Sequence, residues 1–280
     1  MSASLLAARN LAKATMLLAA CCTGIAALGW AAGGVRLASL CAVVGLLAGL
    51  TIHLAGDRII LGMVGAREIP VGEAPMLHAT VEALARRALV LKPRVYLIRD
   101  GHPRALSTGR GASAASIAVS QGLLLACPPD ELEAVLAHEI AHIRTRDVVT
   151  QTAAVVVASF LYDVARLGGF LERPLRFVLG PLSAAFVHVL LSPRRELDAD
   201  RLAAGWCDTP HSLADALLRL EHASELVGFD ASPVTSPLWS IDPFPRSGPS
   251  TLFATHPPVG ARVAALRALD PDWHDESRAV

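Results

Sequence analysis

The sequence has no excess of charge of either sign. Its 25 lysines and arginines are matched by 25 aspartates and glutamates, so its formal net charge is zero. Nucleic-acid-binding proteins concentrate positive charge, and this balance therefore gives no electrostatic reason to expect nucleic acid as a partner. Cysteine is also scarce. Three of the five cysteines lie in apolar runs and the other two stand alone, a pattern that excludes a secreted disulfide framework.

Charged residues are few as a class. They make up 18% of the 280 residues, whereas 53% are hydrophobic, and the mean hydropathy is +0.46. This composition is too apolar for an ordinary soluble enzyme and indicates a membrane protein. Residues 14–35 and 37–56 are two uncharged runs, each long enough to cross a bilayer as a helix. We predict a transmembrane helical hairpin over residues 1–56, followed by one domain over residues 57–280.

The basic residues around this hairpin predict its orientation. Arg9 and Lys13 precede it, Arg58 and Arg67 follow it, and only Arg36 lies in the turn. The positive-inside rule therefore places both the N-terminus and the long C-terminal part in the cytoplasm.

Two further uncharged runs, residues 148–162 and 177–192, fall short of a full membrane span. They are candidates for additional membrane segments, helped by tilt, or for a helical pair packed on the main domain. The high apolar content favours membrane association for them.

An H-E-x-x-H motif occupies residues 138–142. His138 and His142 lie at positions i and i+4 of a predicted helix, so both imidazoles leave the same side of it. That spacing allows two nitrogens to reach one tetrahedral zinc ion, and it predicts Glu139 beside them as the base that activates water.

A second pair of candidate residues, Glu196 and Asp200, stands at positions i and i+4 of a helix predicted to begin at Ser192-Pro193. Such pairs are common on surface helices, and the neighbouring arginines are ordinary partners for them. A zinc site of this kind, however, needs a third protein ligand from another element, and a carboxylate one turn on can orient a ligand histidine.

The remaining pattern is mainly helical, with a small β-sheet. The zinc-motif helix is predicted over Asp130–Asp147, with Asp130 and Glu133 as a capping box. Polar, glycine-containing Arg104–Gly111 is predicted as an edge strand or a loop. Other predictions are helices at 73–91, 121–126, 211–227 and 259–269, strands at 95–98 and 116–120, and a proline-rich mobile loop at 232–250.

Several stretches carry a family resemblance. They are EAPMLH at 73–78, KPRVY at 92–96, DELEAVLAHE at 130–139, the S-x-x-R-E-x-x-A-D pattern ending at 200, and THPP at 255–258 with Arg262. With the N-terminal hairpin they resemble the HtpX-like membrane zinc metallopeptidases, relatives of the CAAX prenyl endoproteases. The resemblance implies a gluzincin-like zinc metallopeptidase domain, mainly α with a small sheet whose edge strand pairs with substrate.

The resemblance also implies roles for individual residues. His138, His142 and Glu196 would hold one zinc ion per chain, with Glu139 as general base. Asp200 would orient a ligand histidine. His256, or Arg262 behind it, would help stabilise the oxyanion or shape the site.

One stretch departs from the family pattern. Relatives tend to carry an N-A-F-A-T-G-like edge strand, where this chain has Arg104, Ala105, Leu106 and Ser107 followed by Thr-Gly. Arginine can donate to a substrate carbonyl but lacks the acceptor of an amide side chain. The substrate preference of the family is therefore not carried over to this strand.

The resulting expectation is a multi-pass protein of the cell (inner) membrane, a zinc endopeptidase whose active site faces the cytoplasm. Its expected partners are the lipid bilayer and polypeptide substrates, chiefly misfolded or surplus membrane proteins. One alternative is a site-2-type intramembrane protease, which the charged residues around the H-E-x-x-H motif disfavour. Another is a membrane scaffold with a structural zinc site, against which the intact Glu139 argues.

Overall fold

A computed structural model describes residues 3–164, 169–209, 211–226, 233–239 and 255–270. The helices are α1 (Ala3–Met63), α2 (Pro75–Arg87), α3 (Gln121–Ala126), α4 (Pro129–Arg144), α5 (Asp147–Val164), α6 (Glu172–Leu190), α7 (Arg194–Ala204), α8 (His211–Leu226), a 3-10 turn (Pro233–Leu238) and α9 (Val259–Arg267). The strands are β1 (Ala66–Glu68), β2 (Arg94–Ile98), β3 (Ala105–Gly109) and β4 (Ala115–Ser120). The prediction of a mainly α fold with a small sheet is confirmed.

The four strands form one sheet in the order β1-β2-β4-β3. β2 and β4 pair in parallel, and the two outer strands pair antiparallel with their neighbours. The sheet therefore has β3 at one edge. Of the two predictions for Arg104–Gly111, an edge strand or a loop, the structure has the strand. Every residue of β3 is buried, so this edge lies under other parts of the protein rather than in solvent.

The N-terminal helix turns back on itself at Gly33 and Gly34. These are the two residues of α1 with non-helical backbone angles, and Gly34 has a φ of 67°, which glycine adopts without strain. The two arms pack closely, since a Cβ on Gly29 would lie 2.7 Å from Cys41 Sγ. Each arm has about 30 residues and a length of about 45 Å, more than the roughly 30 Å bilayer core.

Apolar surface on this hairpin is extensive. Residues Ala8–Met63 are long and apolar enough to cross a membrane, and the most apolar 18-residue stretch of that segment is only 6% buried. α5 packs against both the hairpin and α6, and the side chains of 148–156 are almost all buried there. α6 instead exposes Phe177, Val178 and Leu182, so a second apolar surface adjoins the hairpin.

The H-E-x-x-H helix α4 runs through the centre of the domain. Its apolar stripe, Leu136, Ile140 and Ile143, is fully buried and belongs to one core with residues of α2, the sheet, α8 and α9. Burying three such side chains stabilises the fold by several kcal/mol, at about 2 kcal/mol each. The motif histidines are therefore carried on a helix that cannot shift without disrupting the core.

Two predicted helix starts are wrong. α4 begins at Pro129, and neither Asp130 nor any other side chain caps it, while Glu133 instead pairs with Arg87 at 2.7 Å. Proline lacks an N–H, so two prolines ahead of the helix leave one donor fewer to cap and allow an earlier start. α7 begins at Arg194 with Pro193 as its N-cap residue, one position later than predicted.

The chain turns between α4 and α5 at one residue whose backbone has the left-handed conformation. Arg146 has a φ of 56° and its N–H donates to the carbonyl of Ile143 at 3.1 Å, closing the end of α4. This turn starts a new helix at Asp147, beside the second motif histidine.

Because a non-glycine residue pays for this backbone conformation, we expect Arg146→Gly to raise the free energy of unfolding by about 1 kcal/mol. Arg144→Gly, two residues earlier in helical backbone, is the matched control and should lower it by about 1 kcal/mol. Thermal unfolding of both variants in detergent provides the measurement. Equal destabilisation by the two substitutions would contradict the assignment of strain to Arg146.

Candidate metal centre

Three buried side chains from two helices converge on one point. Nε2 of His138 lies 3.2 Å from Nε2 of His142, and the carboxylate of Glu196 lies 3.4 Å from the first and 3.7 Å from the second. All three side chains are at most 5% exposed. The histidines lie four positions apart on α4, but Glu196 comes from α7, and the packing of α7 on α4 brings it to them.

These separations match those of a metal site. In a tetrahedral zinc site, ligand atoms about 2.0–2.1 Å from the metal lie about 3.3 Å from one another. The separations in this structure are close to that value: 3.2 Å between the two nitrogens, 3.4 Å from His138 Nε2 to Glu196 Oε2, and 3.7 Å from His142 Nε2 to Glu196 Oε1. Two imidazoles and one carboxylate are also a donor set that zinc prefers, with one position left for water or substrate.

Carboxylates hold the outer nitrogens of both histidines. His138 Nδ1 lies 2.9 Å from Asp200, and His142 Nδ1 lies 3.0 Å from Asp147. An Nδ1–H that donates to a carboxylate leaves the Nε2 lone pair facing inward. When both rings are neutral, the two Nε2 atoms face each other as acceptors beside a carboxylate, an arrangement that a metal ion between them stabilises.

The oxygens of Glu196 support the same conclusion. Both are buried, and neither has a hydrogen-bond partner among the residues that the structure describes. A buried carboxylate without hydrogen bonds is costly, and a metal ion bound to it removes that cost. The residues present therefore fit a metal ion.

Two buried arginines balance the charge of this carboxylate cluster. Arg195 donates to Asp147 at 2.9 Å and lies 3.2 Å from Glu196, and Arg262 makes two hydrogen bonds to Asp200 at 2.8 and 2.7 Å. Burial alone would raise the pKa of Asp200, but Arg262 outweighs it and lowers that pKa to about 2. The carboxylates that orient the histidines are therefore ionised.

His256 also lies beside this carboxylate, with Nε2 3.7 Å from Glu196 Oε1. Burial, aided by the charges of Arg195 and Arg262, lowers its pKa to about 4, so His256 is neutral near pH 7. Burial would also raise the pKa of Glu196, yet this pKa is held well below its usual value. With His256 neutral, the permanent charge on Arg195 is the main cause.

Glu139 is 2% exposed and follows His138 on α4. Its charge contributes to the raised pKa of both Arg195 and Arg262, which places it within electrostatic range of the cluster. Arg262 is 1% exposed and its NH1 lies 3.8 Å from Glu196. The structure thus gathers the predicted residues of α4, α7 and the 255–262 stretch into one site.

The predicted substrate strand lies beside this site. β3 packs on α4, and Ala105, Leu106 and Ser107 are at most 1% exposed. Arg104, just before the strand, pairs with Asp100, and its guanidinium carbon lies 4.3 Å from the centre of the Trp239 ring. Within the predicted mobile loop 232–250, the structure describes residues 233–239, which are the 3-10 turn and Trp239. Residues 232 and 240–250 lie outside the described ranges.

Asp147 and Arg195 are the site residues that the sequence did not reveal. Arg195 was interpreted as a surface partner, but its side chain is only 9% exposed and contacts two carboxylates of the cluster. The sequence predicts Asp147 as the last residue of the zinc-motif helix, whereas in the structure it begins α5 after the turn at Arg146. An acidic residue five positions after the second histidine is a weak signal, because only that turn brings it back.

Metal binding at this site should depend on pH. Burial alone would lower the pKa of His138, but the adjacent carboxylates of Asp200 and Glu196 outweigh burial and raise the pKa to about 9. A metal must displace this proton, so the proton competes more strongly as pH falls. We expect zinc affinity to weaken about tenfold for each pH unit below 9.

Competition with a chelator at pH 6, 7 and 8, corrected for protonation of the chelator itself, measures this dependence. Affinity that stays constant over that range would contradict the proton competition.

Several known proteins are similar to this chain. Residues 72–270 match the model of peptidase family M48. A protease HtpX homolog from Aquifex aeolicus is 38% identical over 234 residues, covering 76% of this chain and 78% of that protein. Another from Syntrophobacter fumaroxidans is 33% identical over 277 residues, covering 92% and 98%. The crystal structure of S. mikatae Ste24p matches with a TM-score of 0.46 at 17% identity, over 80% of this chain and 57% of that one.

The matched region contains α4, α7 and the 255–262 stretch, and therefore every residue of the cluster. A metalloprotease acts on peptide or protein substrates, and the His138, His142 and Glu196 group can bind the metal. The chain belongs to peptidase family M48, as an HtpX-like metalloprotease.

Proposed function

We propose that this protein is a membrane-anchored zinc endopeptidase that cuts polypeptides beside the cytoplasmic face of the bilayer. The observation that carries the proposal is the convergence of two Nε2 atoms and one carboxylate, each oriented by a second buried charge. Zinc is the metal proposed because the two-imidazole, one-carboxylate set is typical of catalytic zinc. When bound, zinc supplies Lewis-acid polarisation of the scissile carbonyl and of the attacking water.

Glu139 is proposed as the general base. It takes a proton from the attacking water and passes it to the leaving amine, which needs a carboxylate that is ionised before attack. Glu139 lies within electrostatic range of the guanidinium groups of Arg195 and Arg262. His256 is neutral near pH 7 and is proposed to donate an N–H to the developing oxyanion.

Arg262 is proposed to shape the site through Asp200. Two of its nitrogens are already engaged with that carboxylate, and it lies behind the ligand histidine. The family resemblance implies an oxyanion role for His256 or Arg262, and we therefore propose His256 for it.

We propose that substrate adds as an extended strand along the edge of β3 that faces away from β4, displacing the parts of the protein that cover it. Ser120 N–H donates to the carbonyl of Arg104, so residues 104, 106 and 108 direct their backbone groups toward β4. By the period of two, Ala105 and Ser107 direct theirs away from it. The backbone groups of Ser107 are proposed to pair with substrate. Arg104 is proposed to contribute only where substrate reaches its ring-stacked guanidinium.

The proposed substrates are membrane proteins, with a role in their quality control. Support comes from the position of the hairpin, which docks directly behind the site. Asn10 on the first arm donates to the carbonyl of Thr145, and Thr150 donates to the carbonyl of Asn10. An anchor joined this closely to the α4–α5 junction keeps the metal centre near the bilayer.

A reconstituted system tests the proposal. Purified protein in liposomes should cut a single-span membrane protein in its unfolded cytoplasmic tail, and a zinc chelator should abolish cutting until zinc is returned. Mass spectrometry of the products locates the cut. Cutting inside the span would favour a site-2-type protease, and bound zinc with no cutting of any tail would favour a scaffold. Cutting that survives the chelator would contradict the proposal.

A further inference from the structure

A basic cavity of about 670 Å³ lies behind the metal centre. Its walls come from the start of the first hairpin arm, the α4–α5 junction, the end of α6 and the first two turns of α7. These elements are distant in sequence and meet only where the hairpin docks on the domain.

The charge of this lining is strongly unbalanced. Its five cations are Arg9, Lys13, Arg194, Arg195 and Arg201, and its carboxylates are Asp147 and Asp198. The whole chain has no net charge, so this concentration of positive charge is local rather than a consequence of composition. Like charges crowded into one cavity repel unless an anion enters.

The carboxylates of the lining do not neutralise it. Asp147 already accepts hydrogen bonds from His142 and Arg195, which leaves Asp198 as the remaining counter-charge. Within the ranges that the structure describes, no ion pair is made by the other four cations of the lining, Arg9, Lys13, Arg194 and Arg201. Several guanidinium groups facing one space are a recurrent arrangement for phosphate, which accepts from each of them.

The surroundings point to a phosphate attached to a lipid. The cavity lies where the charged start of the first arm gives way to apolar surface, one turn before Met16, which is 71% exposed. α6 reaches the same cavity at Leu190 and carries Leu182, which is 52% exposed. A headgroup in the cavity can therefore leave its acyl chains against exposed apolar side chains on both elements.

We propose that this cavity binds the phosphate of an anionic phospholipid headgroup, such as that of phosphatidylglycerol. The chemistry recognised is a phosphate ester with net negative charge, and a soluble phosphate ester is the other source of it. The cavity shares Arg195 and Asp147 with the metal centre, so bound lipid would contact the shell that orients His142.

The test is a lipid titration of the delipidated full-length protein in detergent, followed by native mass spectrometry. Wild-type protein should bind phosphatidylglycerol at least about tenfold more tightly than phosphatidylcholine. Arg194→Gln/Arg201→Gln should weaken phosphatidylglycerol binding about 30-fold, because each cation near an anionic lipid contributes about fivefold. Both arginines are exposed, lie outside the metal cluster and leave the topology signal at Arg9 and Lys13 intact.

The matched control is Arg86→Gln/Arg99→Gln, which removes the same charge from exposed sites outside the cavity and should change affinity less than about threefold. Unchanged zinc content establishes that each variant is folded. An unaffected Arg194→Gln/Arg201→Gln variant, or an equal loss in the control, would overturn the site. Displacement of the lipid by glycerol 3-phosphate at equal concentration would overturn the lipid assignment in favour of a soluble ester.

Discussion

Glu139→Gln is expected to abolish proteolysis while leaving the metal in place. The amide keeps the size of the side chain but cannot accept the proton of the attacking water, so kcat should fall by about 10²- to 10⁴-fold. The three ligand atoms, His138 Nε2, His142 Nε2 and a Glu196 oxygen, are untouched, and zinc content should equal that of the wild type. Cleavage of a fluorogenic peptide and metal analysis of the same samples give both results.

Glu133→Gln is the matched control for this substitution. It lies on the same helix, is partly exposed and pairs with Arg87 on the outside of the domain. A surface ion pair contributes at most about 1 kcal/mol, so activity should stay within about twofold. Wild-type activity in Glu139→Gln would remove the assignment of Glu139 as base, and loss of zinc there would mean that the variant disturbs the site itself.

Arg262→Met is expected to lower the free energy of unfolding by about 3–5 kcal/mol. Arg262 is 1% exposed and donates two hydrogen bonds to Asp200, which is 2% exposed. Methionine fills a similar volume but leaves a buried carboxylate without its cation, and removing one partner of a buried pair typically costs this much. Thermal or denaturant unfolding in detergent measures the loss.

A second substitution separates lost packing from uncompensated charge. In Arg262→Met/Asp200→Asn the buried charge is gone, so most of the stability should return, although His138 then loses its carboxylate and zinc should bind 10- to 100-fold more weakly. A double variant as unstable as Arg262→Met alone would show that packing, not charge, causes the loss.

The local part of the site could be predicted from the sequence because helix geometry is local. Residues at i and i+4 share a face wherever the helix lies, so the direction of His138 and His142 followed from spacing alone. The contact to Glu196 spans more than 50 residues and depends on how α7 packs on α4. For that reason the residue pattern offers Glu196 only as a candidate third ligand, and the family resemblance implies that role. The comparisons confirm the family, and the ligand role of Glu196 stays a prediction.

Other features depended on structure that no pattern marks. Asp147 reaches His142 because Arg146 adopts a left-handed backbone conformation, and arginine gives no signal of such a turn where glycine would have. Arginine is usually a surface residue, yet α5 and the 3-10 turn pack over Arg195 and bury its side chain. Its guanidinium donates to the carbonyl of Pro237. The two helix starts were misplaced because their prolines displaced the expected caps.

The hairpin shows the opposite balance. Two uncharged runs, residues 14–35 and 37–56, were enough to predict two apolar helices, and the structure has helical arms on either side of Gly33-Gly34. That these arms span a bilayer stays a prediction from length and composition. Where the hairpin docks was not predictable, because Asn10 contacts the α4–α5 junction through backbone carbonyls that carry no sequence signal. That contact joins the anchor to the site and encloses the basic cavity.

Metal content tests the central claim most directly. Inductively coupled plasma mass spectrometry on the detergent-purified protein, with wild type, Glu196→Ala and Glu133→Ala side by side, should find about one zinc per chain in the first and third and far less in the second. Equal zinc in all three would place the third ligand elsewhere. A wild-type protein that holds no metal even after zinc is offered would contradict the metal centre itself.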